Sequence, residues 1–435
     1  MSPLKSWLAI DPKSGFSLRN IPFGIISTVN APQPHPAVAI GDYALDLQSF
    51  TEHNGFSALS IIQPHQAVFS QPTLNAFAAL GRPMQKIVRE YLQSVLLDNG
   101  PFPEVLQRND SLKKAALVPL AECKVHLPMQ IGDYTDFYAG LNHAYNVGVL
   151  FRGAQNALQP NYKHLPVGYH GRASSVVVSG TPIRRPNGQI LADPSAKIKQ
   201  PSLSPCKKLD MELELGCFVC KPNHMGEPVR VDHASEYLFG VVLMNDWSAR
   251  DIQAWEYVPL GPFNSKNFGT TISPWVVLMD ALEPFASTGL RNDTELLPYL
   301  DEGGRKSHSA IDLQVFLTTK AGHETKIINT NATELLFSFP QMLAHHTIGG
   351  CPFNVGDLMG SGTISSEGQS GKGSLLEQTE NGKVEIQLDG GEIRRFLEDG
   401  DSITITGVCG DEDGARVGFG ECTGRIEAAP VLDFK

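Results

Sequence analysis

The sequence predicts a mainly β protein of α+β character that is divided into two domains. A chain of 435 residues with 41% hydrophobic content is long enough to bury two or three cores. The composition of the sequence changes near residue 125, after which glycine and proline become frequent and apolar runs become short. Short strand-like runs between turn dipeptides are typical of β-rich domains with long loops. We therefore expect an N-terminal unit over 1–125 and a larger β-rich unit over 126–435.

The N-terminal unit carries a hairpin signal and a helical pattern. Segments 37–40 and 43–47 are apolar and flank Gly41-Asp42, a favoured two-residue turn. Residues 72–98 are predicted to be helical, with Asn99-Gly100 as a stop signal. Five apolar residues of this segment share one helical face: Met84, Ile87, Val88, Tyr91 and Val95. Titratable residues do not cluster in this unit, so we interpret it as structural or dimer-organising.

The larger unit combines apolar strands with a segment rich in glycine and serine. Runs 211–220 and 239–244 are predicted to be buried strands, and 383–388 and 402–406 to be strands between turns. Segment 360–374 does not form a Walker phosphate loop, because Gly373 follows Lys372 and Ser366 stands where a glycine is required. It indicates an active-site loop rather than a nucleotide site.

Charge and composition exclude several classes of function. A net charge of −11 argues against a general nucleic-acid or membrane-surface binder. No apolar run is long enough to span a bilayer, residues 1–18 lack the apolar core of a signal peptide, and 432–435 match no targeting address. Seven scattered cysteines suggest free thiols in a reducing compartment. Cys217 and Cys220 have C-x-x-C spacing but lie on opposite strand faces, so we predict that they are core thiols. The reducing compartment that free thiols indicate predicts a cytoplasmic protein.

Paired acids are the first candidate for chemistry. Glu212 and Glu214 stand at i and i+2 of a predicted strand and therefore face the same way. Because neighbouring carboxylates repel and are costly to bury, that face either meets water or holds a cation. Asp246 ends a second apolar strand and could ligate or cap a helix, and either Asp133 or Asp136 could join it. Several carboxylates together would select Ca²⁺ or Mg²⁺.

A polar helical face is the second candidate. Over 247–257, Arg250, Gln253 and Tyr257 share one face, and Asp246 lies four residues before Arg250 on the same side. This face suits an anionic, oxygen-rich ligand, although a solvent-exposed face with an Asp–Arg pair fits equally well. His143 is a candidate general base. The chain contains neither Gly-x-Ser-x-Gly nor His-Glu-x-x-His, which disfavours serine hydrolases and zinc proteases.

Several long, ordered segments resemble the fumarylacetoacetate hydrolase family. They lie at 131–138, 165–175, 209–215, 244–257, 261–263, 268–275 and 361–365. The resemblance implies an N-terminal SH3-like barrel, a larger β-roll catalytic domain and a homodimer. It also implies hydrolysis of the carbon–carbon bond of fumarylacetoacetate to fumarate and acetoacetate, the last step of tyrosine and phenylalanine catabolism. The chain departs from the mammalian pattern mainly in loops 193–204 and 366–373.

The resemblance also implies roles for individual residues. It assigns Ca²⁺ to four acids: Asp136, Glu212, Glu214 and Asp246. It assigns Mg²⁺ to Asp246, Thr270 and Lys266, the last through its carbonyl, because an ammonium has no lone pair to give. His143 becomes the base oriented by Glu377, while Arg250, Gln253 and Lys266 surround the developing oxyanion. Substrate contacts fall on Tyr138, Arg152, Tyr169, Gln253, Tyr257 and Thr363.

Two alternatives remain open from the sequence. Related acylpyruvate or β-diketone hydrolases of the same superfamily share the acidic site, but they are usually shorter and lack the N-terminal domain. A catalytically inactive homologue could instead act as a metal-dependent binding or scaffold protein. The presence of His143, Glu377 and all four acids argues against this second alternative.

Overall fold

A computed structural model describes residues 4–411 and 413–433. The predictions that residues 1–18 and 432–435 carry no targeting signal fall partly on residues 1–3 and 434–435, which lie outside the described residues. The architecture is mainly β, with two five-stranded sheets and one eight-stranded sheet. This confirms the predicted fold class, a two-domain fold of α+β type.

The N-terminal sheet is antiparallel throughout. In spatial order its strands are Leu117–Pro119, Tyr43–Asp46, His35–Ile40, Phe23–Ser27 and Lys124–His126. The predicted hairpin is confirmed, because Ile40 pairs with Tyr43 and Gly41 takes a positive φ of 55° at the turn. The α-helices of this region are Leu47–Glu52, Asn75–Ala78, Arg82–Leu96 and Asp110–Ala116, and its 3₁₀ segments are Ser60–Ser70 and Leu120–Glu122.

The single helix predicted over 72–98 is wrong in its extent. Asn75–Ala78 and Arg82–Leu96 are separate helices, since Gly81 has a φ of 80° and Pro83 lies in the first turn of the second helix. Proline is suited to a first helical turn because the missing N–H would be unpaired there anyway. The expected apolar face is retained, because Val88, Tyr91 and Val95 are buried.

The central sheet is mixed and carries the acids. Its strands are, in spatial order, Gly168–His170, Tyr134–Phe137, Leu358–Gly360, Leu213–Val219, Leu238–Asp246, Thr270–Ile272 and Val176–Val178, with Val277–Leu278 pairing beside Leu238–Asp246. The expected strand over 239–244 is confirmed. The strand over 211–220 begins only at Leu213, and Glu212 forms an isolated bridge to Ser374 instead.

A third sheet covers the other side of the core. Its strands are Glu324–Asn331, Asp312–Thr318, Ser402–Cys409, Val417–Glu427 and Ile183–Arg184. The expected strand at 402–406 is therefore confirmed and longer. The one at 383–388 is reduced to Ile386–Gln387.

Short strand pairs and helices complete the larger unit. The pairs are Asn187–Leu191 with Pro201–Pro205, Leu209–Asp210 with Ser248–Ala249, Ala286–Ser287 with His308–Ser309, and Ile386–Gln387 with Ile393–Arg394. The α-helices are Leu141–Arg152, Arg250–Glu256, Met279–Leu282, Phe339–Thr347 and Leu375–Gln378. The 3₁₀ segments are Ala154–Asn156, Ala173–Ser175, Ala234–Tyr237, Glu283–Phe285, Ala332–Glu334, Gln369–Gly371 and Asp389–Gly391.

The N-terminal sheet and the central sheet share one hydrophobic core. Phe23 and Phe77 belong to the same cluster as Phe218 and Phe239 of the central sheet. The rings of Phe77 and Phe239 meet edge to face with centroids 6.1 Å apart, a favourable aromatic geometry. The back of the strand that ends at Asp246 is thus packed against the N-terminal unit.

Two expectations from the sequence concern membrane-spanning segments and the state of the cysteines. Within the described ranges, no helix is both long enough and apolar enough to cross a bilayer. All seven cysteines of the described chain are free, and Cys217 and Cys220 are buried thiols. Burial raises the pKa of Cys220 to about 11, so it stays protonated and inert near neutral pH.

Candidate active site

A cavity of about 470 Å³ opens at the ends of the central strands. Its walls come from those strands, from helices Leu141–Arg152 and Arg250–Glu256, and from the glycine-rich segment 360–374. The volume lies in the range that small-molecule sites occupy. Every catalytic, substrate and metal residue expected from the sequence lines this cavity or contacts a residue that does, except Thr270, whose hydroxyl contacts Asp246 behind the lining.

Three acids converge at the base of the cavity. Asp136, Glu214 and Asp246 are each 1% exposed, and one ligand oxygen from each lies within 4.8 Å of the others. They come from separate strands of the central sheet, with Leu358–Gly360 between the strands of Asp136 and Glu214. A β-carbon on Gly360 would lie 2.6 Å from Asp136 Oδ1, so glycine there leaves room for the carboxylate. Asp133, the other candidate, is exposed.

The electrostatics of this cluster are unfavourable for three free carboxylates. Burial, together with the charge of Asp246, raises the pKa of Asp136 well above its usual range. Burial and the charges of Asp136 and Asp246 likewise raise the pKa of Glu214. Asp136 Oδ1 is buried and has no hydrogen-bond partner among the described residues. Buried acids of this kind either hold protons or are compensated by a cation.

Glu212 faces the same cavity but belongs to a different group. Its carboxylate pairs with Arg250 Nη1 at 2.8 Å and with the ammonium of Lys266. Burial opposes ionisation, yet the charges of Lys266, Arg250 and His143 outweigh it and lower the pKa of Glu212. Strand alternation correctly predicted that Glu212 and Glu214 open to one cavity, but not that their charges are balanced so differently.

Lys266 lies between the two groups. Its ammonium contacts Glu212 and also Asp246 Oδ2 at 2.6 Å. Burial opposes protonation, but the charges of Asp246 and Glu212 raise its pKa above the ordinary lysine value. Thr270 places its hydroxyl 3.4 Å from Asp246 Oδ1. Of the three residues expected around Mg²⁺, Asp246 therefore touches the side chains of both others.

A histidine–glutamate pair forms one wall. His143, on helix Leu141–Arg152, places Nδ1 2.6 Å from Glu377 Oε2, and its Nε2 lies 3.8 Å from Glu212 Oε1. Glu377 also accepts hydrogen bonds from Asn146, Ser365 and Ser374 at 2.8–3.0 Å. Burial raises its pKa, but the His143 charge and these donors reverse the shift, so the pKa of Glu377 is lowered. An ionised Glu377 favours the tautomer with the proton on Nδ1, which leaves Nε2 as the acceptor.

The environment of Arg250 corrects the sequence prediction. The helix begins at Arg250 with Ala249 as its N-cap, so Asp246 neither caps it nor shares its face. Arg250 pairs instead with Asp210 at 2.8 Å, and Nη1 also donates to Gln253 Oε1 at 3.2 Å. Its Nη2 is buried and unpartnered among the described residues. A buried guanidinium nitrogen without a partner is costly, so a ligand acceptor in the cavity would relieve that cost.

The expected substrate contacts all line the cavity. They are Tyr138, Arg152, Tyr169, Gln253, Tyr257 and Thr363. Tyr169 places its hydroxyl 3.1 Å from Asp136 Oδ2 and 2.9 Å from Asp246 Oδ2. Thr363 Oγ1 is buried and, within the described chain, without a partner. Arg152 donates to the carbonyls of Asn156 and Ala157, which fold its guanidinium onto its own helix end.

Sequence reasoning missed the residues that support these groups. Asp210, Asn146, Ser365 and Ser374 hold Arg250 or Glu377 in place. Asp210 begins the acidic segment 210–214 and could have been considered with the other acids, whereas the remaining three carry no local signal. Gly362 is also missed: its N–H donates to Glu214 Oε2 at 3.0 Å with φ at 78°, a conformation that favours glycine.

The fold and the cavity define a class: a two-domain α+β protein with a buried carboxylate cluster beside a histidine–acid pair. Two family models cover almost the entire chain. Residues 19–128 match the model described as fumarylacetoacetase N-terminal, and 134–427 match fumarylacetoacetate hydrolase C-terminal. The chain therefore belongs to the fumarylacetoacetate hydrolase family.

Individual relatives are similar over their full length. A fumarylacetoacetase from Aspergillus fumigatus is 64% identical over 433 residues, covering 99% of this chain and 100% of that protein. The human fumarylacetoacetase is 48% identical over 423 residues, covering 97% and 98%. A solved fumarylacetoacetate hydrolase from Exiguobacterium antarcticum covers 94% of this chain and 99% of its own, with 14% identity and a TM-score of 0.51. This last likeness shows the fold alone.

Proposed function

We propose that this chain is a hydrolase that cleaves fumarylacetoacetate to fumarate and acetoacetate, the last step of tyrosine and phenylalanine catabolism. The observation that carries the proposal is the His143–Glu377 pair, which faces the cationic groups of Arg250 and Lys266 across one cavity. Relatives named fumarylacetoacetase, 46–64% identical over nearly the whole chain, support the same activity.

The acidic cluster fits a hard cation. Asp136, Glu214 and Asp246 offer only oxygen donors, their mutual repulsion calls for positive charge, and Asp136 Oδ1 has no partner among the described residues. We propose that these acids, with Glu212 beside them, hold Ca²⁺. Mg²⁺ would lie near Asp246 and Thr270, with the Lys266 carbonyl as a further ligand. A bound cation would supply Lewis acidity and a template for the acetoacetyl oxygens.

Proton transfer is assigned to His143. With Nδ1–H donated to Glu377, Nε2 is free to take a proton from water as its oxygen adds to the ketone carbon beside the fumaryl group. Glu377 then stabilises the imidazolium, in the manner of the acid in a catalytic triad. Because Glu377 is held by three further donors, it keeps both the orientation and the charge that this role requires.

The side chains of Arg250, Lys266 and Gln253 are proposed to stabilise the negative charge of the tetrahedral adduct. One such donor typically contributes about 2.7–4 kcal/mol to the transition state. Collapse of the adduct breaks the carbon–carbon bond and leaves the electron pair on the acetoacetyl carbon. The proton held at His143 Nε2 is returned to that carbon, so the water atoms are divided between fumarate and acetoacetate. Tyr138, Arg152, Tyr169, Tyr257 and Thr363 are proposed to hold the substrate oxygens.

The proposal is tested by an absorbance assay with two substrates, each with and without a chelator. We expect turnover of fumarylacetoacetate, loss of turnover with the chelator, and recovery on adding Ca²⁺ or Mg²⁺. Faster turnover of an acylpyruvate would favour the related acylpyruvate hydrolase activity. Metal binding without turnover of either substrate would favour the inactive binding protein.

We further propose the organisation expected from the family resemblance: an SH3-like domain over 1–125, a β-roll catalytic domain over 126–435 and a homodimer. Sedimentation velocity tests the dimer, which should have about twice the 47.3 kDa mass of one chain. We also propose a cytoplasmic location, which the free thiols support.

A further inference from the structure

Asp210 is a fully buried acid that the mechanism above does not use. It is 0% exposed and lies on the two-residue strand Leu209–Asp210, which pairs with Ser248–Ala249 immediately before Arg250. Its carboxylate makes four hydrogen bonds, all of them to N–H donors. It therefore acts purely as an acceptor.

The four bonds tie three parts of the chain together. Oδ1 accepts from the backbone N–H of Met211 and Leu375, each at 2.8 Å. Oδ2 accepts from the N–H of Leu376 at 2.9 Å and from Arg250 Nε at 2.8 Å. Leu375 and Leu376 open the short helix that carries Glu377. Asp210 thus connects Arg250 to the segment that carries the partner of His143.

These bonds decide where Arg250 can point. A guanidinium is planar, so two fixed nitrogens define the direction of the third. Asp210 fixes Nε and Glu212 fixes Nη1 at 2.8 Å, which leaves the unpartnered Nη2 of this cavity-lining residue in one orientation. Without Asp210 only the Nη1 contacts would remain, and the plane could rotate about them.

We propose that Asp210 is a positioning residue that orients the Arg250 guanidinium toward the reacting oxygen by anchoring it to the helix Leu375–Gln378. Substrate need not touch Asp210 for this to matter, because a donor misplaced by about 1 Å can lose most of its contribution to the transition state. The inference rests on the proposed function and deepens it, since nothing in that mechanism requires the acid itself.

The first test compares Asp210→Asn with a matched control, Asp401→Asn. Asp401 is also 0% exposed, binds Arg394 through Nε and Nη2 at 2.9 Å each, and accepts a backbone N–H from Glu398 at 2.8 Å. The Asp401–Arg394 pair is not among the described residues that line the cavity. An asparagine amide cannot accept at both ends, so each variant should lose some stability.

Activity should separate the two variants. We expect Asp210→Asn to lower kcat about 100-fold, the scale of one oxyanion donor, with KM and Ca²⁺ affinity changed less than about threefold. Asp401→Asn should keep kcat within about twofold at a similar loss of thermal stability. Equal losses of kcat in both variants, or a loss of Ca²⁺ affinity as large as the loss of kcat in Asp210→Asn, would reduce Asp210 to a structural role and overturn the proposal.

A double-mutant cycle tests the route through Arg250. In an Arg250→Gln background, Asp210→Asn should lower kcat less than about fivefold further, because the group it positions is gone. Two losses that multiply would overturn the proposal.

Crystal structures of the two variants supply a readout that does not need turnover. In Asp210→Asn the Arg250 guanidinium should leave its present plane, whereas in Asp401→Asn it should stay. An unmoved Arg250 would reject the inference. If the wild-type protein fails to turn over fumarylacetoacetate, the proposed function is rejected instead. The position of Arg250 in the variant crystal structures would still decide the role of Asp210.

Discussion

Glu212 and Glu214 stand two residues apart, open to one cavity and are both almost fully buried, yet their pKa values move in opposite directions. Glu212 lies between Arg250 and Lys266, and its pKa is lowered. Glu214 lies beside Asp136 and Asp246, and its pKa is raised. Burial alone would raise both pKa values, so the sign of the neighbouring charge decides the difference. The cavity therefore has a compensated half around Glu212, which is ready to act on substrate oxygens, and an uncompensated half around Asp136 and Glu214, which is suited to a cation. Asp246 lies between them, because it contacts the Lys266 ammonium and also clusters with the other two acids.

The largest effect is expected in the compensated half, at His143. His143→Gln keeps a polar side chain but removes the titratable base, so kcat should fall about 10²- to 10⁴-fold. Because His143 lies outside the acidic cluster, Ca²⁺ binding measured by calorimetry should be nearly unchanged. Tyr162→Phe, which removes the hydroxyl bonded to the Tyr138 carbonyl at 2.7 Å, is a control for disturbance of the same wall. A His143→Gln variant with wild-type kcat would remove the base assignment.

Glu212→Gln should destabilise the metal-free protein. The change leaves the buried charges of Lys266 and Arg250 without their shared partner, and breaking a buried ion pair typically costs about 3–5 kcal/mol. Urea unfolding in the presence of a chelator measures the free energy of unfolding directly. An unchanged or higher value would show that Glu212 is not the counter-ion on which the comparison depends.

The same contrast occurs in two histidines and gives a pH prediction. Burial lowers the pKa of His35, but the hydrogen bond and charge of Asp46 outweigh it and the pKa is raised. Burial lowers the pKa of His308 to about 4. Between about pH 6.5 and 4 the unfolded chain therefore binds a proton at His308 that the folded chain does not, so stability rises with pH across this window.

Replacing His308 tests the sign of that effect. Between pH 6.5 and 4 the wild-type free energy of unfolding should fall as His308 in the unfolded chain takes up a proton. His308→Asn should make that fall smaller by up to about 3 kcal/mol. Urea unfolding at several pH values gives the slope, and His323→Asn, at a half-exposed histidine on the surface, is the control. A slope between pH 4 and 6.5 that is the same in His308→Asn and wild type would contradict the prediction.

Glu214→Gln should change metal-free stability in the direction opposite to Glu212→Gln. A neutral amide keeps an oxygen for the Gly362 N–H but removes one of three mutually repelling acids, so the metal-free protein should gain stability. Ca²⁺ affinity should fall at least about tenfold. This is the lower end of the roughly 10- to 100-fold loss that follows removal of a group supporting a metal ligand. If both glutamine variants change metal-free stability with the same sign, the division of the cavity into two halves is wrong.

The sequence supported much of the fold, and the failures have a common cause. The hairpin at Gly41-Asp42 and the strand ending at Asp246 depend on local pattern, and both are observed. The helix expected from residue 247 begins at Arg250, because Ser248–Ala249 pairs as a strand with Leu209–Asp210. The expected Asp246–Arg250 pair failed for the same reason. Pairing with a segment about 40 residues away overrode the local helical period, which a single sequence window cannot reveal.

By itself, the sequence determined that Asp246 ends an apolar strand, that Glu212 and Glu214 share a face, and that the chain is mainly β. Alternation along a strand and turn chemistry are local properties, so the order of residues is enough to specify them. Only the tertiary structure decided which acid meets a cation and which meets another acid. Asp136, Asp246, Arg250 and Lys266 reach the cavity from separate segments, and charge interactions depend on distance in space rather than on separation along the chain.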